Sequence, residues 1–221
     1  MKVSKAFYRF LTSLDPELGL AKGYSVIYPY SDPEVKRVLR IFCDTFYSDN
    51  AERVLMLGIN PGRFGAGISG VPFTDPYALE VDCGVDNGFE KRRELSSSFI
   101  YDMIDAFGGT KLFYKHVLLS SVCPLGFLQG TKNFNYYDSQ KLIQKTSGFI
   151  HWSLSEHMKM GVRTDKVIVL GKKNASFLSN NETFSKLFGE VLVLDHPRFI
   201  MQYRSKRKSE YISAYLKAIK S

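Results

Sequence analysis

The residues best placed to do chemistry are polar side chains standing where short apolar runs break off. Arg53-Val-Leu-Met-Leu-Gly58 is apolar enough to be a buried strand, and it ends in Ile59-Asn60-Pro61-Gly62. Proline lacks an N–H and glycine has no preferred conformation, so this tetrad neither extends the strand nor opens a helix. A glycine-rich stretch and Val71-Pro72-Phe73 follow it. A second run, residues 117–122, carries Ser120 and Ser121 and stops at Cys123-Pro124. A third covers 166–171, and a fourth, 190–195, runs into His196-Pro197. In a parallel α/β sheet the carboxyl ends of the strands share one edge, and ligands bind there. A carboxamide, hydroxyls and an imidazole are thereby expected along that edge, although the runs alone leave open which ends are neighbours.

The elements that must hold these ends are helices. Ser31-Asp32-Pro33-Glu34 is a helix start, with Val35, Val38, Leu39, Phe42 and Phe46 on one face. Ser96-Ser97-Ser98 is expected to cap a helix carrying Phe99, Ile100, Met103, Ile104 and Phe107, stopped by Gly108-Gly109. Asp138 is expected to open a helix with Leu142, Ile143, Phe149 and Ile150 inward, and a short helix covers 174–178. The last helix, from about Ser205, puts Ile212, Tyr215, Leu216 and Ile219 on one face. Residues 74–95 read as irregular and polar. Four strands apolar on both faces, alternating with helices, predict an α/β fold: a three-layer α/β/α sandwich around a four-stranded parallel sheet. Neither a repeat nor a linker interrupts the 221 residues, so one domain is expected over 1–221.

A net charge of +8 favours a polyanionic partner, nucleic acid first and an acidic membrane surface second. Cys43, Cys83 and Cys123 are far apart and form no C-x-x-C pair, which argues against structural zinc or an iron–sulfur cluster and for reduced thiols in a cytoplasm. The first ten residues have charges spread through them and no apolar core, unlike a secretory signal. No window is apolar enough for a membrane helix. No metal or cofactor is implied, and a monomer is expected.

Gly65-Ala-Gly-Ile-Ser-Gly70 matches the dinucleotide pattern G-x-G-x-x-G, which carries meaning only when it directly follows a strand and opens a helix. Here Asn60-Pro61-Gly62 intervenes, and Val71-Pro72-Phe73 cannot be helical. No Gly-Lys-Ser/Thr follows, so it is not a phosphate-binding loop either.

Gly58-Ile-Asn60-Pro-Gly-Arg-Phe-Gly65, Gly70-Val-Pro-Phe73, Cys123-Pro-Leu125 and His196-Pro-Arg198 together resemble the uracil-DNA glycosylase superfamily over roughly residues 53–210. The likeness is greatest to its single-strand-selective monofunctional branch. The resemblance implies that Asn60 holds the attacking water. An amide is a poor base, which suits a path in which the glycosidic bond breaks first and the sugar cation meets a weak nucleophile. It implies that His196 hydrogen-bonds the pyrimidine carbonyl on which negative charge develops. Phe73 would stack on the flipped base, with Gly58 and Ile59 beside it. Gly62 stands where uracil-strict relatives carry a bulky ring, leaving room near C5 for 5-substituted uracils.

Ser121 departs from the pattern, because the branch usually presents an asparagine two residues before Cys-Pro. A hydroxyl offers one rotatable donor–acceptor where a carboxamide offers both groups at once. The substrate range then extends to deaminated purines such as xanthine or hypoxanthine, with Ser120 the fallback reader. The stretch 198–208 is read as the loop that wedges into DNA. Phe199, Ile200, Met201 and Tyr203 are its wedge candidates. Arg198, Arg204, Lys206, Arg207 and Lys208 are its phosphate contacts. His116, His151 and His157 have no motif around them and read as structural or exposed. The leading expectation is a monofunctional DNA glycosylase acting on single- or double-stranded DNA. The rivals are a catalytically silent relative that binds damaged DNA, and an N-glycoside hydrolase acting on RNA or nucleotides.

Overall fold

Apolar periodicity and capping residues decide most of the elements. The computed structural model describes residues 2–180, 184 and 186–221. In chain order the elements are α1 (Val3–Thr12), β1 (Tyr24–Ile27), α2 (Pro33–Phe46), β2 (Arg53–Gly58), α3 (Ala66–Ser69) and α4 (Pro76–Val81). Next come α5 (Leu95–Phe107), α6 (Thr110–His116), β3 (Val117–Ser121), β4 (Gly126–Gln129), β5 (Lys132–Phe134) and α7 (Gln140–Met158). The chain closes with β6 (Val162–Leu170), α8 (Lys172–Ser179), β7 (Glu190–Leu194), α9 (Pro197–Tyr203) and α10 (Lys208–Lys220). Helix α2 starts as expected: the Asp32 carboxylate accepts from the Glu34 N–H at 2.7 Å, and Pro33 takes the first helical position.

The main sheet is parallel, in the order β3-β2-β6-β7. The step from β2 to β3 runs one way and the step from β3 to β6 runs back across β2. Right-handed crossovers therefore put α4–α6 and α7–α8 on opposite faces, which makes the three layers. Every residue of β2 and β3 is buried. The edge strand β7 departs from the expectation of strands covered on both sides, since Val191 and Val193 remain 39% and 45% exposed. A second sheet, β1-β4-β5, is antiparallel and was not expected. Its strands are three or four residues long and only partly buried, too short for a periodic signal.

Several local expectations are corrected by capping chemistry. Helix α5 is capped by Glu94 and not by the serines. The Glu94 carboxylate accepts from Ser96 N at 3.0 Å and Ser97 N at 3.1 Å, and an acid is favourable at the positive end of a helix. Helix α7 is capped by Ser139, while Asp138 accepts from Asn135 N at 2.8 Å and closes the turn before it. Residues 74–95 contain α4, capped by Asp75 with Pro76 at its first position. The glycine pattern opens only the single turn α3, stopped by Gly70 in the left-handed region. The final helix begins at Lys208, after a 3-10 turn at Ser205–Arg207.

Of the histidines outside the motifs, His116 and His151 are exposed and His157 is fully buried. His157 Nδ1 lies 2.8 Å from the Ser153 carbonyl oxygen, so it donates there. Nε2 then accepts from Ser120 Oγ at 2.7 Å, tying α7 to β3. Burial holds His157 down to about 4, against an ordinary value near 6.5. Between those values the unfolded chain binds a proton that the folded chain refuses, so stability falls as pH drops from 6.5 toward 4. This group is expected to cost on the order of 1 kcal/mol per pH unit over that window. Urea unfolding of wild type and His157→Gln from pH 7.5 to 4.5 checks it: the variant loses that part of the slope, and equal slopes refute the assignment.

Candidate active site

Sheet register brings two of the three polar strand ends together. Gly58 pairs with Ser121. The ladder then continues beyond both strands, with Val122 N donating to Gly58 O at 3.0 Å and Cys123 N to Ile59 O at 3.1 Å. The third end arrives across β6, where Gly171 N donates to Leu194 O at 2.7 Å. Gly171 has φ +101°, and a Cβ there would lie 3.6 Å from His196 Cβ and 3.9 Å from Ile59 Cδ1. This is the point at which the chain leaving β2 meets the chain leaving β7. The result is a cavity of about 270 Å³ lined by Ile59, Asn60, Gly62, Phe73, Ser121 and His196, among others. That lies near the lower end of ligand pockets, roughly 300–1,000 Å³, and is the scale of a small heterocycle.

The Asn60 carboxamide is gripped on both sides. Its Nδ2 donates to Phe134 O at 3.3 Å and Pro61 O at 3.4 Å, and its Oδ1 accepts from Tyr136 N at 3.2 Å. Two carbonyls and one N–H settle which end is oxygen. A carboxamide has two donors and two acceptor lone pairs, so one lone pair on Oδ1 is left for a further partner. The segment that holds Asn60 is itself held. Tyr136 OH donates to Asn174 Oδ1 at 2.6 Å, and Asn174 Nδ2 donates to Gly58 O at 3.1 Å and Leu170 O at 3.3 Å.

His196 caps α9, with Pro197 at the first helical position. Its Nδ1 accepts from Arg198 N at 3.2 Å, so the neutral ring carries its proton on Nε2. Burial, and secondarily the Arg198 charge, hold His196 down to about 4, so the ring is neutral at ordinary pH. The Tyr215 hydroxyl donates to Asp195 O at 2.6 Å and fixes the approach to the ring. Phe73 lies beside it, ring centroids 5.8 Å apart at 40°. Phe73 has φ +55°, unusual for a bulky residue, and its loop is pinned by Ser69 Oγ donating to Thr74 O. The Phe73 ring fills the space over Gly58, where a Cβ would come within 2.4 Å of it.

Ser121 lines the cavity at 6% exposure, and among the described residues its hydroxyl has no partner. Ser120 does not line the cavity, because its hydroxyl is spent on His157. Gly62 lines it, and a Cβ there would be in van der Waals contact with Asn133 Nδ2 at 3.4 Å. Sequence reasoning missed Glu94, Ser96, Asn133, Asn135 and Gln202, all of which line the cavity. It also missed Asn174, Tyr136 and Gly171, which hold the site from behind. Only the two glycines of the β4–β5 region and the polar Asn133 and Asn135 hinted at a turn there.

The stretch 198–208 is not a loop: it is α9 up to Tyr203, then Arg204, the 3-10 turn at Ser205–Arg207 and the start of α10 at Lys208. Helical spacing sorts its side chains. Ile200 is fully buried and so is not free to wedge, while Met201 is partly buried against the core. Phe199 and Tyr203 stand 38% and 65% exposed at the mouth of the cavity, rings 5.5 Å apart. Arg198 also lines the mouth, and the Arg204 guanidinium lies 5.6 Å from the Phe199 ring. Arg207 is paired with Glu210 and Lys208 with Asp102, each at 2.7 Å, so those charges are already answered within the protein. Lys206 is exposed.

A parallel-sheet edge joining a clamped carboxamide to a neutral imidazole is matched by a known family. The model of the uracil DNA glycosylase superfamily matches residues 45–220, and the chain belongs to that superfamily. It is a DNA glycosylase, a hydrolase acting on N-glycosyl bonds, with DNA as its partner. Among solved structures it is similar to wild-type SMUG2 of Pedobacter heparinus, with TM-score 0.94 and 38% identity over 100% of this chain and 97% of that one. Curated proteins yield no match.

The seat of Phe73 makes Gly58 a sensitive position. Gly58→Ala is expected to displace the ring, costing about 1–3 kcal/mol in urea unfolding as overpacking does. Base release should fall with it. A variant with unchanged rate and stability would show that the ring does not depend on this contact.

Proposed function

We propose that the chain is a monofunctional glycosylase that takes a uracil-type base out of a DNA strand and hydrolyses its N-glycosidic bond. The observation that carries this reading is that Asn60 and His196, from opposite ends of the sheet sequence, line one cavity. The extruded base enters that cavity against the Phe73 ring. Neutral His196 donates its Nε2 proton as a hydrogen bond to the base carbonyl where negative charge gathers. A fixed donor in a site shielded from water stabilises that charge more than solvent does. With its proton affinity held low, the imidazole acts as a hydrogen-bond donor and not as an acid, and the base departs as an anion.

The sugar cation left behind is captured by a water hydrogen-bonded to the remaining lone pair of Asn60 Oδ1. Oxygen bonds to C1′, and the water's second proton passes to solvent or to the departed base. No lysine is among the described residues lining the cavity, which supports simple hydrolysis without a Schiff base or strand cutting. Ser121 and Asn135 bring a hydroxyl and a carboxamide into the cavity, neither side chain with a partner among the described residues. Together they replace the donor and acceptor that Ser121 alone lacks for reading a base edge. The absence of a side chain at Gly62 supports acceptance of 5-substituted uracils, and the short Ser121 side chain supports acceptance of deaminated purines.

The test uses labelled single-stranded DNA with one uracil, incubated with wild type, Asn60→Ala and His196→Ala, then opened with alkali. Wild type is expected to yield product and each variant on the order of 100-fold less, the loss typical of an oxyanion donor. Equal background in all three would leave a DNA-binding protein without glycosylase chemistry. A second substrate checks the pocket. 5-Hydroxymethyluracil should be released under conditions that release uracil, and no release would count against the role given to Gly62.

A further inference from the structure

Beyond the cavity mouth, the polar stretch before α5 and the loop after β2 form a cluster of cations that the proposed chemistry does not use. The Arg63 guanidinium lies 4.3 Å from the centre of the Phe64 ring, and that of Arg92 lies 4.6 Å from the same centre. Phe64 and Arg92, with Arg198, line a second hollow of about 150 Å³. It shares Gly62, Glu94, Asn133 and Arg198 with the base cavity, so the two are continuous.

Neighbouring cations are neutralised within the protein. Lys91 is bound to Glu80 at 2.5 Å and Arg93 to Asp82 at 3.6 Å. Glu94, the acidic residue lining this hollow, is committed to the backbone of α5. Among the described residues the side chains of Arg63, Arg92 and Arg198 have neither an ion pair nor a hydrogen bond. Two guanidinium groups on one ring repel each other, and an exposed cation–π contact is worth only about 0.5–1 kcal/mol. Such a pair leaves its N–H forks open for a planar or tetrahedral oxyanion.

We propose that Arg63 and Arg92, held on Phe64, bind backbone phosphates of the lesion strand beside the extruded nucleotide. This surface lies on the loops after β2 and before α5, apart from α9, and it rests on the glycosylase reading for the identity of its strand. Arg198 stands where the two hollows join, so the strand would run from α9 past the base cavity and onto the Phe64 cluster. The arginines read charge and not sequence, since phosphate contacts position a strand without specifying its bases.

The experiment measures binding of a fluorescent, uracil-free oligodeoxycytidylate by anisotropy over a salt series. Each phosphate contact on a single strand contributes a slope of about 0.7 in log affinity against log salt. Arg63→Gln with Arg92→Gln should therefore lower the slope by about 1.4 and weaken low-salt binding by roughly tenfold. The charge-keeping Lys pair should retain the slope. Where the Gln pair melts early, the single Arg92→Gln is read for a fall of about 0.7. An unchanged slope in the Gln variants overturns the proposal, as does a Lys pair that falls as far as the Gln pair. Uracil release by wild type is scored separately. A chain that binds with the expected slopes yet releases no base keeps this surface and loses the glycosylase reading. One that releases base while the Gln slopes stay unchanged keeps its activity and loses the surface.

Discussion

A strand that ends inside a protein must find partners for backbone groups that no longer have a ladder, and the end of β2 is such a place. A buried carbonyl without a partner costs about 1–3 kcal/mol, so each one has to be met. Gly58 O is met twice, by Val122 N and by Asn174 Nδ2, and Ile59 O is met by Cys123 N. Asn174 extends the arrangement to Tyr136, and the Tyr136 backbone reaches Asn60. The chemistry of the site therefore sits on a satisfied backbone and not on a mobile loop. Its carboxamide is oriented by groups from β5 and the turn beyond it, and these are anchored in turn by α8.

How much of this was legible in the sequence depends on the range of the interaction. The four apolar runs announced the parallel sheet because their signal is local, and their ends announced Asn60, Ser121 and His196. The pairing of Gly58 with Ser121 makes the motif likeness a spatial fact. The antiparallel sheet was silent because strands of three or four half-buried residues have no periodicity to read. Asn174 and Tyr136 were silent because nothing in their own neighbourhoods tells of a partner far along the chain. Helix α9 was misread as a loop because its charged and aromatic residues masked the one clear signal, Pro197 at the first helical position. The same error placed Ile200 on the surface. Lys208 looked free because its partner, Asp102, is assigned only by packing, whereas the Arg207–Glu210 pair is local, three residues apart, and was legible but unread.

His157, buried, and His196, half-buried, show one residue type put to different uses. Both are held neutral, each by the loss of water around the ring. His157 spends both nitrogens on the protein, one on its own helix and one on β3, and so serves as a strut. His196 spends one nitrogen and leaves the other facing a cavity. What separates a strut from a candidate reagent here is a single uncommitted N–H.

His196 is also the N-cap of α9, and that helix carries Phe199 and Tyr203 at the cavity mouth. The ring assigned here to the base and the aromatics assigned to the strand are thus carried on one lever about two turns long. Tilting the lever to accommodate a duplex swings the imidazole by the same angle. Under the proposed chemistry, seating the nucleic acid and aiming the donor are therefore coupled through one short helix.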